Sequence, residues 1–379
     1  MTDNIELNIE WVDQDVRLAE LCDQWSQLPH LAVDTEFIRT DTFYPILGLL
    51  QVSDGEHCWL IDPLAIDDLL PFAELLEDRR VVKLFHASSE DLEVLRHSVG
   101  VLPKPIIDTQ VAAAFVGYGF SRGYAALVGD TLGIQLDKHE TRSDWLQRPL
   151  TEAQKRYGAE DVFYLVKVYQ HLLQKLGSRL EWLQQDMAAL LAKANAPEDT
   201  AEYYRRIKGA WQLKPQQLSA LQVLAQWRED TARERNRPRN RVVSDKQLLD
   251  IARQQPSTEA QLAACGKLHP GSVRRFGSDI LALLESLSSD QCSWPKPLPQ
   301  PLPREAGVWV KQLRSIQNTV AEELCLAPEI LARKVDLEAI IASAYKGKTQ
   351  VPEHWCGSWR ERLMAEKMLQ ALPQLAQPL

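Results

Sequence analysis

The feature that most restricts the fold of this chain is a run of alternating prolines. Residues 294–304 read WPKPLPQPLPR, with proline at every second position from 295 to 303. Proline lacks a backbone N–H and its ring clashes inside a helix, so this run favours an extended spacer of about 3.1 Å per residue. The chain of 379 residues must therefore divide, and at roughly 150 residues per domain we expect two or three domains.

Both sides of this spacer carry helical patterns. Pro215 opens a segment in which apolar residues recur at helical intervals from Leu218 to Trp227. A second, less basic segment with the same periodicity follows the prolines. We therefore predict two small all-α modules and a linker, at residues 210–290, 305–379 and 291–304.

Strand and helix signals alternate in the first half of the chain. Three short apolar runs separated by turn signals predict an antiparallel meander, and later runs alternate with helical patterns. The strands are predicted near residues 31–33, 46–52, 58–61, 81–85 and 106–107, and the helices near 69–76, 89–97 and 151–176. This order predicts an α/β domain over residues 1–205, with a mixed sheet flanked by helices.

The net charge of −9 hides a strong asymmetry. Residues 205–275 contain fifteen Lys and Arg against six Asp and Glu, a net +9 that leaves −18 for the remainder. A basic block joined to an acidic body is typical of a phosphate-binding arm on a metal-binding enzyme. On charge alone, a solvated helical surface is a slightly better explanation.

Composition excludes several classes of protein. The chain is 45% hydrophobic and 25% charged, as in ordinary globular domains and unlike disordered or fibrous chains. No apolar run approaches the roughly 20 residues that cross a bilayer, and the acidic N-terminal residues do not resemble a secretory signal. The six cysteines are scattered without a C-x-x-C pair, which favours free thiols in a reducing cytoplasm.

Acidic residues carry the main chemical signal. Asp34-Thr35-Glu36 follows a strand signal, and because side chains alternate along a strand, its two carboxylates point to the same face. Two negative charges at such a short distance repel each other unless a cation lies between them. The spacing is common, however, and recurs in the apparent turn Asp54-Gly55-Glu56, so a pair of solvated carboxylates is the better explanation of this motif alone.

Two further aspartates are candidates. Asp161 lies on the apolar side of a predicted helix, one turn after Tyr157, where an unpaired carboxylate costs several kcal/mol. A position at the edge of the apolar stripe, within reach of water, fits the sequence about equally well. Asp91 follows Ser88 and Ser89, either of which is a candidate helix N-cap, and an acidic residue in a first helical turn is favoured by the helix dipole alone.

Other motifs fail on their context. The sequence from Gly119 to Gly123 fits G-x-S-x-G, but the preceding Val111–Phe115 predicts a helix where a serine nucleophile requires a strand. The glycines in and just before this segment do not have the spacing of a dinucleotide-binding loop. The eight histidines form no H-x-x-x-H pair of the kind that binds zinc. The oxygen-only set that remains suits Mg²⁺ or Mn²⁺ and consists of Asp34, Glu36, Asp91 and Asp161. Two such ions about 3.5–4 Å apart can activate water and stabilise the leaving oxygen of a phosphodiester.

A strand D-x-E, an Asp after a strand–helix junction and a helical Y-x-x-x-D together resemble the DEDD exonucleases of the tyrosine subtype. The surrounding sequence is similar to the bacterial ribonuclease D family over essentially the whole first half. The similar blocks are VDTEFIRTDTFYPILGLLQV (33–52), LFHASSEDLEVL (84–95), IDTQVAAAFVGYGFSRGYAALV (107–128), ETRSDWLQRPLT (140–151) and YGAEDVFYL (157–165).

This resemblance implies a ribonuclease H-like sheet and a two-metal site. The residues that would hold the two divalent ions are Asp34, Glu36, Asp91 and Asp161. Tyr157 would orient the attacking water or help to deprotonate it. His139 competes for that role, but it precedes Asp144 by five residues and lies outside the YGAED block, so the histidine subtype is disfavoured.

The basic module is similar to the helicase-and-RNase-D C-terminal (HRDC) domain, over residues 215–252 and 268–284. The module at 305–379 resembles it more distantly. The resemblance implies nucleic-acid contact through the basic module. The candidate residues, in a segment that reads as a loop, are Arg233, Arg235, Arg237, Arg239 and Arg241. Keeping the module soluble is the alternative explanation of these arginines.

We therefore predict a cytoplasmic, monomeric, metal-dependent 3′→5′ exoribonuclease with no membrane partner. It would release nucleoside 5′-monophosphates from RNA, with tRNA precursors as the expected substrate. A DNA exonuclease of the same fold stays open, because the sequence does not reveal a contact to the 2′-hydroxyl that distinguishes RNA. A non-catalytic RNA-binding adaptor is the third hypothesis, and the complete carboxylate set argues against it.

Overall fold

The computed structural model describes residues 7–136, 143–287, 290–348 and 350–372. Contacts divide the chain into two compact units. The first comprises residues 1–38, 46–195 and 302–379, and the second comprises residues 39–45 and 196–301. The C-terminal helical segment thus shares a unit with the α/β half of the chain. The domain boundaries proposed from the sequence stay predictions.

A mixed sheet forms the centre of the first unit. Its six strands are β1 (Asn8–Val12), β2 (His30–Ile38), β3 (Ile46–Ser53), β4 (His57–Ile61), β5 (Val82–Phe85) and β6 (Ile106–Asp108). They lie in the order β1-β4-β3-β2-β5-β6. The segment from β2 to β4 is the predicted antiparallel meander, and β1, β5 and β6 pair with parallel neighbours. The predicted mixed sheet is therefore confirmed, with β1 as an additional strand.

Helices cover this sheet. They are α1 (Asp15–Trp25), α2 (Leu70–Glu77), α3 (Ser89–Ser98), α4 (Thr109–Phe115), α5 (Tyr124–Leu132), α6 (Glu152–Phe163), α7 (Leu165–Leu176) and α8 (Leu180–Asn195). The prediction of one continuous helix over 151–176 is wrong, because the chain breaks at Tyr164 between α6 and α7. The apolar stripe does not reveal the break, since Val162 before it and Val168 after it are buried in the same core.

The second unit is helical around its own core. Its α-helices are α9 (Pro215–Glu234), α10 (Arg239–Val242), α11 (Asp245–Gln254), α12 (Glu259–Ala264) and α13 (Pro270–Glu285). Leu221, Leu248 and Phe276 are among the buried residues of this core, and so is Phe43 from the short segment 39–45.

The C-terminal helices belong to the first unit and share its core. They are α14 (Gly307–Leu324), α15 (Pro328–Leu331), α16 (Lys334–Tyr345) and α17 (Glu366–Gln370). The Trp359 ring stacks on Trp182 of α8 at 5.0 Å between centroids. The Arg360 guanidinium donates to both carboxylate oxygens of Asp186, at 2.6 Å each. In the described ranges, no helix is both long and apolar enough to span a membrane.

The pair of Arg360 and Asp186 gives a first prediction. Arg360→Met should lower the free energy of unfolding of the first unit by about 2–3 kcal/mol, because it leaves the largely buried Asp186 carboxylate with the Trp359 indole donor but without its cationic partner. Arg362→Met, at an exposed position of the same segment, should change it by no more than about 0.5 kcal/mol. Thermal denaturation measures both variants, and equal losses would contradict this assignment.

Candidate active site

Asp34 and Glu36 lie on β2, the strand on which the D-x-E motif was expected. Their cross-strand partners on β3 are Gln51 and Leu49. Directly after Glu36 the pairing register shifts, and such an irregularity bends a strand and re-aims its side chains. Both carboxylates are only partly exposed on one face of the sheet.

Asp161 reaches these carboxylates from α6. The helix approaches β3 closely at Gly158, where a Cβ atom would lie only 3.0 Å from Leu49 Cδ2. Because glycine has no side chain, the helix can settle onto the sheet at this point. One oxygen each of Asp34, Glu36 and Asp161 then lie within 4.8 Å of one another.

Tyr157 lies one turn before Asp161 on the same helix, as its spacing predicted. The two side chains are hydrogen-bonded, with the phenol donating to the carboxylate. Burial, followed by the charges of Asp161 and Glu36, raises the pKa of Tyr157. The hydroxyl is therefore held in its protonated, donating form beside the three carboxylates.

Asp91 lies outside the set of three close oxygens but close to it. It is buried in the first turn of α3, and the Thr35 hydroxyl donates to its Oδ1 at 2.5 Å. Its charge contributes to raising the pKa values of Asp34 and Glu36. Thr35 was not among the residues predicted from the sequence, because its role depends on a contact with Asp91, 56 residues further along the chain.

Ser88 is the N-cap residue of α3, one of the two candidates that the sequence offered. Its hydroxyl does not cap the helix but donates to Asp108 at 2.9 Å. The same aspartate accepts the backbone N–H groups of Ala87 and Ser88, at 3.1 and 2.8 Å. Asp108 thus fixes the turn that delivers Asp91, because a buried carboxylate can satisfy several donors at once.

Removal from water raises the pKa of every carboxylate in the site. The pKa of Asp34 is well above its ordinary range through burial and then the charges of Asp91, Asp161 and Glu36. Burial, Asp161 and Asp91 raise the pKa of Glu36 to about 8. Burial raises the pKa of Asp161 to about 7 against the effect of the Tyr157 hydrogen bond, and that of Asp91 to about 6 against the effect of Thr35.

This arrangement fits divalent metal ions. The converging groups are all oxygen donors, which hard cations such as Mg²⁺ and Mn²⁺ prefer. Within the part of the chain that the structure describes, no Lys or Arg side chain forms a salt bridge with Asp34, Glu36, Asp91 or Asp161, so their charge is not compensated by the protein. Bound cations would lower the raised pKa values and stabilise the charged forms.

The other motifs considered in the sequence do not contribute described residues to this cluster of carboxylates. His139 lies outside the described residues. Asp144 is exposed and accepts a hydrogen bond from the backbone of Leu146. Asp54, in the other D-x-E sequence, accepts backbone N–H groups within a turn. The G-x-S-x-G segment follows α4, which confirms the helix predicted at Val111–Phe115.

Comparison with known proteins then decides the family. The sequence profile of the 3′-5′ exonuclease family matches residues 9–177, and that of the HRDC domain matches residues 217–284. Ribonuclease D of Pseudomonas paraeruginosa is 48% identical over 367 residues, which cover 96% of this chain and 97% of that protein. This chain belongs to the ribonuclease D family. Ribonuclease D of Escherichia coli is 40% identical over 384 residues, covering 97% of this chain and 100% of the relative.

Solved structures agree with this membership. The crystal structure of Escherichia coli RNase D, an exoribonuclease involved in structured RNA processing, matches with a TM-score of 0.89 at 36% identity. The match covers 98% of this chain and 100% of that one. The catalytic core of RRP6 from Trypanosoma brucei has a TM-score of 0.58 at 21% identity and shares the fold. The predicted exoribonuclease class and one HRDC domain are confirmed, while the second HRDC domain stays a prediction.

The five candidate arginines of the HRDC segment have different surroundings. Arg233, in the last turn of α9, pairs with Glu198, and Arg239 donates to buried Glu229 at 2.6 Å. The predicted loop is thus partly helical, because α9 extends to Glu234 and α10 begins at Arg239. The remaining three are exposed and are Arg235, Arg237 and Arg241.

Thr35 provides a test of how Asp91 is positioned. Thr35→Val keeps the shape of the side chain and removes the hydroxyl, so Asp91 loses its donor and Mn²⁺ affinity and kcat should each fall about 10–100-fold. Thr35→Ser keeps the hydroxyl and should stay within about threefold of the wild type. Calorimetric Mn²⁺ titration and single-turnover assays measure the two effects, and identical behaviour of both variants would rule out the hydroxyl as the cause.

The raised pKa values predict how pH affects the metal-free protein. Carboxylates with pKa values of about 6 to 8 in the folded state bind protons more tightly there than in the unfolded chain. Their contribution to stability is therefore greatest below about pH 4 and is lost as the pH rises through 8. In EDTA, the Tm of the wild type should fall more between pH 5 and 8 than that of Glu36→Gln, and Mg²⁺ should remove this difference. Superimposable curves in EDTA would contradict the raised pKa of Glu36.

Proposed function

We propose that this chain is a metal-dependent 3′→5′ exoribonuclease that uses two divalent ions. It releases nucleoside 5′-monophosphates from the 3′ ends of structured RNAs, with tRNA precursors as the main substrate. The convergence of Asp34, Glu36 and Asp161 oxygens within 4.8 Å, beside the Tyr157 hydroxyl, is the observation that carries this proposal.

The four carboxylates have the role of holding the ions. Divalent ions, when bound, lower the pKa of water and stabilise the leaving oxygen of a phosphodiester. Asp34, Glu36 and Asp161 supply the shared negative charge that binds them, and Asp91 adds to it from α3. Because protein cations do not neutralise this charge, the site binds metal strongly and repels phosphate until metal is present.

In this proposal Tyr157 orients the attacking water, and the chain is proposed to be of the tyrosine subtype. Its phenol donates to Asp161, and its raised pKa disfavours the phenolate that a general base would require. The hydroxyl therefore positions the attacking water through hydrogen bonding, a role that depends on geometry and not on its own charge. Tyr157 lies next to Gly158, so close packing of α6 on β3 also fixes its position.

The second unit supplies RNA affinity through exposed cations. Arg235, Arg237 and Arg241 are exposed, and the pair that Arg241 forms with Asp41 at 3.7 Å is exposed as well. Arg233 and Arg239 are less exposed and are occupied by acidic partners. Arginines on phosphates give affinity that is independent of sequence and sensitive to salt. Such contacts suit an enzyme that holds folded RNAs of different sequence while trimming their ends.

The substrate and cellular setting complete the proposal. The Escherichia coli relative is an exoribonuclease of structured RNA processing, which supports a folded RNA as the substrate here. We propose that the enzyme acts as a monomer in the cytoplasm.

A 5′-labelled RNA with a structured body and a single-stranded 3′ end tests the proposal. With Mg²⁺ or Mn²⁺, the wild type should produce a ladder that shortens by one nucleotide at a time, and EDTA should abolish it. Glu36→Gln should lower kcat by at least about 10³-fold because it removes one of the converging charges. Glu56→Gln, from the D-x-E sequence in the turn, is the matched control and should keep full activity.

Further outcomes of these measurements distinguish the proposed function from its alternatives. Asp161→Asn should bind the RNA with an affinity close to that of the wild type, since we expect affinity to rest mainly on cations outside the carboxylate site. Internal cuts would refute an exonuclease. Equal rates on the matched DNA would favour the DNA-exonuclease alternative, and a wild type that binds RNA without cleaving it would favour the adaptor.

A further inference from the structure

Gln51 of β3 is fully buried, yet its carboxamide has no hydrogen-bond partner among the described residues. Neither Nε2 nor Oε1 makes a hydrogen bond to any part of the chain that the structure describes. Two other buried glutamines are satisfied: Gln154 donates to the Asp144 carbonyl, and Gln317 donates to two backbone carbonyls. Burial of an unpaired amide is unfavourable, so this residue needs a reason to be polar.

The position of Gln51 suggests that reason. It lies directly opposite Asp34 in the antiparallel pair of β2 and β3. Side chains of directly opposite residues point to the same face, with Cβ atoms about 4.5–5.5 Å apart, which a glutamine spans easily. On its other side is α6, since a Cβ atom on Gly158 would lie 3.5 Å from both Cγ and Nε2 of Gln51.

Packing alone does not require a carboxamide here. Leu49, two residues earlier on the same face, fills its space against the same Gly158 with an apolar side chain. Methionine has nearly the length and volume of glutamine and would leave no polar atom unpaired. The amide of Gln51 therefore gives nothing to the metal-free protein that an apolar side chain would not give.

We propose that Gln51 is a positioning residue for Asp34. When the carboxylates hold metal, Gln51 Nε2 donates to the Asp34 carboxylate and fixes its orientation. A neutral donor suits this role because it orients the carboxylate without neutralising the negative charge that binds the metal. This inference rests on the metal-dependent function proposed above, but it makes a separate statement about stability in the absence of metal.

The experiment compares Gln51→Met with Leu49→Met in the full-length chain. In EDTA, Gln51→Met should raise the Tm by about 2–4 °C, because the unpaired amide is removed. Its Mn²⁺ affinity by calorimetry and its kcat on RNA should both fall about 10–100-fold, as is usual when a group that orients a metal ligand is lost. Leu49→Met, which alters packing against the same Gly158, should keep its Mn²⁺ affinity within about twofold.

Three results would overturn the inference. A lower Tm or a failure to fold in Gln51→Met would mean that the amide has a structural partner in the metal-free protein. Unchanged Mn²⁺ affinity would mean that it does not position Asp34, and equal losses in both variants would assign the effect to packing. If the wild type binds Mn²⁺ but does not cleave RNA, the proposed function fails, and the comparison of Mn²⁺ affinities still decides the role of Gln51.

Discussion

The close approach of three carboxylates, Asp34, Glu36 and Asp161, is the constraint on which the candidate site of the first unit depends. Their oxygens lie within 4.8 Å of one another, partly removed from water, and their pKa values are raised accordingly. A fold can maintain such an arrangement only if the surrounding packing is strong enough to prevent the side chains from separating. A central strand with paired neighbours on both sides, β2, meets this requirement better than any loop would.

The groups that hold these carboxylates in place are neutral. Thr35 donates to Asp91 and Tyr157 donates to Asp161, while Gln51 lies opposite Asp34. A lysine or arginine in the same places would lower the carboxylate pKa values but would also occupy the charge that a divalent ion needs. Neutral donors orient the oxygens and leave the full negative charge available. Gly158 contributes in a similar way. Because it has no side chain, α6 can pack closely on β3 without placing a further group in the site.

The sequence was informative where a pattern reports one local constraint. Strand alternation placed Asp34 and Glu36 on one face, and helical spacing placed Tyr157 beside Asp161. It was uninformative where a feature depends on distant parts of the chain. Asp108 anchors the turn before Asp91 across about twenty residues, and the break at Tyr164 interrupts an apolar stripe that continues in phase. Both features are set by contacts between residues and not by a periodic pattern along the chain. A single sequence therefore does not reveal them.

In the second unit, the number of arginines likewise did not predict which of them are free to contact phosphates. The five arginines from 233 to 241 suggested a uniform basic loop, but three of them are paired with acids. Arg233 pairs with Glu198, Arg239 with the fully buried Glu229, and the exposed Arg241 with Asp41. The Glu229 carboxylate also lies 3.5 Å from the Arg228 guanidinium, so Arg239 stabilises this buried charge together with Arg228. Formal charge therefore overstates the positive charge that phosphates can reach. Any RNA affinity of this segment must come mainly from the exposed members, and its salt dependence should reflect fewer phosphate contacts than the sequence suggests.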